Sequence, residues 1–241
     1  MDYHRHLIIY IDGLSPSHSR RSGGNGHCRL SLFALLSVIM CLLVSCGHDS
    51  SSIDIDAMRN AADSVVGQVE GEKSLDSMVQ VAAKKGDKML EMRARKALGR
   101  TYRESNQFIK AIECHRHELA LAQQLHDTIA MVQTLNNIGT NYRRMGVLDE
   151  AIDYHYRALH LAEAFSLQTD PTAYKNRLVS LNGIGNICLT LSDTETADSV
   201  FRAALAGERF LGSHLGQAIN YANIGSLFEH SNRTDSAWTY Y

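Results

Sequence analysis

Residues 135–160, LNNIGTNYRRMGVLDEAIDYHYRALH, decide the fold. Gly139 is followed three places on by Tyr142, twelve on by Ala151 and sixteen on by His155. The same spacing joins Gly99, Tyr102, Ala111 and His115, then Gly185, Cys188, Ala197 and Phe201, then Gly225, Phe228, Ala237 and Tyr241. Leu98, Ile138, Ile184 and Ile224 precede the four glycines, and Leu119, Leu159 and Leu205 lie twenty after three of them. Such self-similarity is the signature of stacked helical hairpins, each too small to bury its apolar face without a neighbour. A glycine inside a helix costs roughly 1 kcal/mol relative to alanine. Its recurrence in register therefore implies that another helix approaches closely there, with Ala111, Ala151, Ala197 and Ala237 as the matching small residues. Seven after each glycine stand Asn106, Gly146, Ser192 and Asn232. Asn and Gly tolerate the left-handed conformation that ends a helix; Ser192, followed by Asp193, is the weaker signal.

The small, large, small, aromatic columns resemble the tetratricopeptide repeat over about residues 89–241. The resemblance implies an all-α, right-handed α-solenoid of antiparallel helix pairs. Three departures stand out. The glycine-to-glycine steps are 40, 46 and 40 residues, against about 34 for the usual unit. Each helix is thus expected to run about a turn longer, as in the extended repeats of kinesin light chains and related bacterial regulators. Pro171 lies in the longest step, where Thr169-Asp170-Pro171 reads as a loop and a helix start. Glu118 replaces the expected small residue of the first repeat, which predicts looser packing there.

Composition agrees: of 241 residues, 44% are apolar, 7% aromatic and only two are proline, a balance suited to helices with small-residue interfaces. No stretch alternates with period two for long enough to argue for a sheet. The fourth repeat stops at Tyr241 inside its second helix, with "DSAWTYY" in place of a polar cap. The sequence is therefore expected to be a piece of a longer protein.

Residues 30–44, LSLFALLSVIMCLLV, form an uncharged apolar run preceded by Arg20, Arg21 and Arg29. The run is short for a membrane span of about 20 residues and right for a signal h-region. It ends in Leu43-Val44-Ser45-Cys46-Gly47, which resembles the bacterial lipobox and implies that Cys46 receives diacylglycerol. The expected organisation is a signal peptide over 1–46 with an over-long start, a polar tether over 47–52, a degenerate helix pair over 53–87 and repeats over 88–241. The helix pair is read as a cap, because Val81–Asp87 echoes Leu121–Asp127. The leader implies an exported protein, held by lipid on a cell or outer membrane and facing the periplasm.

Chemistry is sparse. His4, His6, His18 and His27 fit no ligand spacing and precede the cleavage site. His115 and His117 would point about 200° apart on a helix, so Cys114-His115-Arg116-His117 makes no metal site. Cys188 fills a bulky core slot and is expected to be a buried thiol, two repeats from Cys114. No phosphate loop, nucleophile elbow or zinc motif occurs. The reading is non-enzymatic, with no cofactor and no metal.

In tetratricopeptide repeats the first helix of each pair lines a concave groove, and that resemblance assigns the binding residues. The first repeat supplies Arg93, Lys96, Arg100 and Arg103. The second supplies Gln133, Asn136, Asn137, Thr140 and Arg143, the third Asn182 and Asn186, and the fourth Asn223, Ser226 and Glu229. Asn137 and Asn223 stand where related extended repeats hydrogen-bond the backbone of a bound peptide, since an amide both donates and accepts. Residues 84–110 carry nine cations against Asp87, Glu91 and Glu104, while the chain as a whole is −2. The expected partner is a protein or extended acidic peptide, including one presenting a C-terminal carboxylate. The chaperone-binding carboxylate clamp is not reproduced, because Arg100 stands where an Asn is needed. Export argues against nucleic acid. Two functions fit: a lipid-anchored binding scaffold, or the periplasmic sensory half of a signalling protein. In the second, as in Bacteroidetes tetratricopeptide regulators or histidine kinases, a membrane helix and effector domain would follow residue 241.

Overall fold

The structure is a computed structural model that describes residues 54–163 and 170–241. Residues 55–241 form one compact unit. The proposed signal peptide, Cys46 and the tether lie outside the described residues. Among the described residues ten helices follow one another: α1 Ile55–Val66, α2 Glu72–Lys85, α3 Lys88–Glu104, α4 Phe108–Gln124, α5 Thr128–Arg144, α6 Leu148–Ala162, α7 Pro171–Thr190, α8 Thr194–Phe210, α9 His214–His230 and α10 Thr234–Trp238. Among the described residues there is no strand, and no helix is long and apolar enough to cross a membrane.

One local device makes all the short turns. A helix ends in a left-handed residue: Gly86, Asn106, His126, Gly146, Ser192, Gly212 or Asn232. The amide of the next residue then bonds back across the turn, as from Gln107 to Tyr102, Val147 to Tyr142, Asp193 to Cys188 and Arg233 to Phe228 (2.8, 3.0, 2.8 and 2.9 Å). This is the Schellman closure, which satisfies carbonyls left over at a helix end. At four turns that next residue is also the cap of the following helix: Asp87, Asp127, Asp193 and Ser213 accept from the amides of Leu90, Ala130, Thr196 and Gly216. A two-residue code thus stops one helix and starts another. The four residues expected from sequence, Asn106, Gly146, Ser192 and Asn232, all have positive φ. Asp170 caps α7 and Pro171 is its first residue, as Pro prefers.

The repeating glycines receive the ring sixteen residues on. A Cβ built on Gly99 would lie 2.6 Å from the ring of His115, on Gly139 2.9 Å from His155, on Gly185 2.5 Å from Phe201 and on Gly225 2.6 Å from Tyr241. The alanine column lies beneath these contacts, with Ala111, Ala151 and Ala197 fully buried and Ala237 nearly so. On Gly139 the Ala151 carbonyl is a further neighbour, at 3.1 Å. His155 also reaches into the next hairpin, where a Cβ on Gly183 would stand 2.4 Å from its ring. α1 and α2 pack on α3, through Val66, Leu75, Val79, Ala94 and Leu98, with Cys114 of α4 in the same cluster. Arg59 of α1 holds the buried Asp127 cap of α5 at 2.9 Å, tying this first pair to the second repeat.

The loose packing expected at Glu118 is not what the structure shows. Glu118 is 1% exposed and its Oε2 bonds His115 Nδ1 at 2.7 Å. The carboxylate fills the space above the hydrogen-bonded ring instead of leaving a gap. Cys114 and Cys188 are free and buried. Burial is the leading cause that pushes their thiols up, to about 11 and about 12, which leaves them unreactive.

Candidate functional site

The polar column of the first helices divides into three environments. In the first, side chains bond laterally to the neighbouring first helix. Lys96 Nζ donates to Gln133 Oε1, Arg103 Nη1 to Asn137 Oδ1 at 3.2 Å and Asn223 Nδ2 to Asn182 Oδ1 at 3.1 Å. Asn186 Nδ2 instead bonds within α7, donating to the Asn182 carbonyl one turn back at 2.8 Å. The lateral bonds step from α3 to α5 and from α7 to α9, so they brace the surface that the sequence assigns to a ligand.

The second environment is the core, and it corrects two expected groove residues. Asn136 is 3% exposed. Its Nδ2 donates to the Asn176 carbonyl at 3.1 Å, and its Oδ1 meets His155 Nδ1 at 2.9 Å. Both ends of the amide are used, so Asn136 is a buried post between α5, α6 and α7. Arg93 is 9% exposed and its Nε and Nη2 bind both oxygens of Asp63. α1 therefore covers a residue that the repeat pattern alone leaves open. Burial pushes the His155 imidazole down to about 4, because a charged ring sealed from solvent loses its hydration.

The third environment is open and cationic. Arg100 and Arg144 are exposed, and Arg103 and Arg143 are half-buried. Among the described residues, none of the four forms an ion pair with a carboxylate. Burial lowers Arg103 from its ordinary range first, and then the nearby charges of Arg144 and Arg100 do so. Burial and then Arg144 lower Arg143 likewise. Like charges held this close repel, so an incoming anion gains from all of them at once. Arg144 is not among the residues expected from sequence. Its signal is only its place beside Arg143 in the last turn of α5. Thr140 is half-buried beside this cluster.

At the α1–α2 end, Arg93, Lys96 and Arg100 share a pocket of about 580 Å³ with the turn that joins α1 to α2. Burial first, and then Arg93, push the Lys96 ammonium down to about 8. Among the described residues, no group of three or more His, Cys, Asp or Glu could hold a metal ion.

The sequence profile of the tetratricopeptide repeat matches residues 94–127, which span most of α3 and all of α4. No curated protein matches the chain in sequence. Among solved structures, the nearly identical TPR-like repeats of a putative kinesin light chain from Podosopora anserina superpose with a TM-score of 0.54. Identity is 14%, over 77% of this chain and 90% of that one. BtubC (BKLC) from P. vanneervenii gives 0.53 at 15% identity, over 79% and 85%. Aspartyl phosphate phosphatase F from Bacillus subtilis gives 0.56 at 14% identity, over 86% and 56%. At these identities the likeness speaks for the fold alone. Residues 55–241 fold as a tetratricopeptide-like α-solenoid.

Proposed function

We propose that the chain is a non-enzymatic scaffold whose concave face binds an extended acidic peptide or an acidic protein segment. The observation that supports this reading is the cluster of Arg100, Arg103, Arg143 and Arg144 without acidic partners, on two adjacent first helices. Guanidinium forks match carboxylates well, and charge complementarity raises association rate and fixes orientation. The braced amides Asn137, Asn182, Asn186 and Asn223, with Thr140, extend the surface beyond the cations.

The test is a peptide array probed with the full chain in detergent, comparing wild type with Arg100→Glu/Arg144→Glu. Both residues are exposed, so the double reversal is expected to keep the helical circular dichroism and lose acidic peptides. Wild-type binding should weaken as salt rises to physiological strength, where screening acts over about 8 Å. Dominance of basic or purely apolar peptides in the bound set would sink the reading.

The leader resemblance further proposes an exported lipoprotein anchored through Cys46 and facing the periplasm. One acyl chain binds a membrane only marginally, so the several chains on a lipoprotein cysteine would decide attachment. Fatty-acid labelling of wild type and Cys46→Ser tests this. Equal labelling of the two removes the anchor from the proposal.

A further inference from the structure

The last turns of α3 and α5 bring Arg103, Arg143 and Arg144 together, with Arg100 one turn back on α3. Arg103 and Arg143, the two half-buried ones, hold the same place in consecutive repeats, 40 residues apart. Arg103 gives Nη1 to Asn137 Oδ1 at 3.2 Å, which pins its guanidinium against α5. The charges of Arg144 and Arg100 act on Arg103 more strongly than that of the exposed Glu104, and Arg144 acts on Arg143. Arg100 also borders the pocket at the α1–α2 end, where Asp63, Glu70 and Glu104 stand. It is therefore the edge of the cluster, and the other three are its centre. The hydrogen-bonding groups beside that centre, Asn137 and Thr140, are neutral.

The residue type and the number of charges narrow the anion. Guanidiniums, unlike ammoniums, suit a ligand with several oxygens in fixed directions. A carboxylate brings one charge on two oxygens, enough for about one planar fork. Three guanidiniums at one spot exceed that in both charge and donors, even after the Arg103 bond to Asn137. A phosphate monoester carries about −1.5 to −2 charges at neutral pH and three strong acceptor oxygens. We propose that Arg103, Arg143 and Arg144 bind one such phosphate, with Arg100 adding its charge from the rim. The proposal deepens the acidic-peptide reading and rests on it: the phosphate would fix one position of a ligand whose chain lies along the braced amides. The same chemistry is carried by a phosphorylated serine or threonine and by a small free phosphate ester.

Such a site predicts a preference that an evenly cationic groove would not show. In an even groove affinity follows total charge, so one phosphate and two carboxylates bind alike. At a built site the phosphate gains, because its oxygens meet several forks at once. Exchanging guanidinium for ammonium keeps the charge and removes the fork. Arg103→Lys/Arg143→Lys therefore separates the two cases: it spares a ligand held by charge and weakens one held by forks.

The experiment titrates the full chain in detergent by calorimetry with three probes. These are a short acidic peptide with a central phosphoserine, the same peptide with two glutamates there to match the charge, and free O-phosphoserine. The phosphoserine peptide is expected to bind at least about tenfold tighter than the glutamate peptide, the worth of one further charge-assisted bond. In Arg103→Lys/Arg143→Lys that advantage should disappear, with circular dichroism unchanged and the glutamate peptide little affected. Competition by free O-phosphoserine supports the site with a small ester as sufficient ligand. Binding of the phosphoserine peptide without such competition supports a phosphorylated chain. A phosphate preference that survives Arg103→Lys/Arg143→Lys overturns the assignment to these forks. Equal binding of the two peptides, both lost in Arg100→Glu/Arg144→Glu, overturns the phosphate site and leaves the acidic-peptide reading standing. No binding of any peptide overturns both.

Discussion

His155 offers the sharpest test of how the hairpins are held together, because its protonation state follows from geometry. Asn136 Nδ2 donates to the Asn176 carbonyl, so Asn136 Oδ1 faces the ring at 2.9 Å. The imidazole must then carry its hydrogen on Nδ1, and Nε2 is left buried without a partner. Gly139 and Gly183 press on the ring from two helices, so a proton added to Nε2 finds no acceptor and is sealed from solvent. Burial is the main cause that lowers the ring from 6.5 to about 4, with the charge of Arg143 adding to it. The sign is that of a depressed histidine. Below about 6.5 the unfolded chain binds a proton that the folded chain refuses, so stability falls as pH drops and levels off below about 4. Lowering a pKa by one is worth about 1.4 kcal/mol, so this residue alone removes roughly 3 kcal/mol between those limits. Denaturant unfolding followed by circular dichroism, from about pH 7 to about pH 4, compares wild type with His155→Phe. Phe201 fills the same slot one hairpin on, so the ring fits. The variant loses a constant amount from the broken Asn136 bond, but the acid-dependent loss should shrink by roughly 3 kcal/mol. Equal acid sensitivity in the two proteins would refute the burial argument, since other carboxylates cancel in the comparison.

The packing register predicts three further outcomes, each read from thermal or denaturant unfolding. Ala151→Leu should cost about 1–3 kcal/mol through overpacking against Gly139, whereas Asp153→Leu, at a half-exposed position, should cost little; an unchanged melting point for Ala151→Leu means the register is wrong. Gly183→Ala should destabilise by a similar amount although alanine favours helix, because the added methyl meets the His155 ring. In a His155→Ala background the same change should become neutral or stabilising, by up to about 1 kcal/mol, and a loss that persists there would show that the ring is not the obstacle. Asp87→Ala, an exposed cap, should cost about 1 kcal/mol. Asp127→Ala should cost more, about 2–3 kcal/mol, since it also removes the buried partner of Arg59, which keeps only the exposed Asp56; equal losses would deny the Arg59–Asp127 bridge any role.

The turns and the glycine–ring contacts are legible in the sequence because they are local. A left-handed residue followed by a capping Asp or Ser is written in two adjacent letters, and a glycine meets a ring sixteen residues away within one hairpin. Gly183 carries no such signal, because its reason lies in the preceding hairpin, in the ring of His155. The binding face is harder to read for the same cause. Asn136 and Asn137 are adjacent amides on one helix, yet the first is sealed between three helices and the second lies half-exposed beside Arg103. Nothing in the helix itself separates them. Arg93 looks open from the repeat pattern because α1, outside the regular repeats, carries the Asp63 that covers it. Glu118 looks like a packing defect and is a partner for His115; only the buried ring beside it explains an acid in that slot.

A lateral rule recovers part of this. In a solenoid the sideways neighbour of a residue lies about one repeat along the chain. The bonded pairs obey it, with Lys96 and Gln133 37 residues apart, Arg103 and Asn137 34, Asn136 and Asn176 40, and Asn182 and Asn223 41. A polar residue whose counterpart one repeat on can complement it is therefore expected to bond sideways and brace the stack. Arg103 and Arg143 stand 40 residues apart, and two guanidiniums cannot complement each other. Where like charges recur at the repeat length, the guanidiniums keep donors that no neighbouring carboxylate takes, although Arg103 still gives Nη1 to Asn137. That is where the proposed ligand face lies, at the last turns of α3 and α5. The bonds from Lys96 to Gln133 and from Arg103 to Asn137, which span α3 and α5, brace that face.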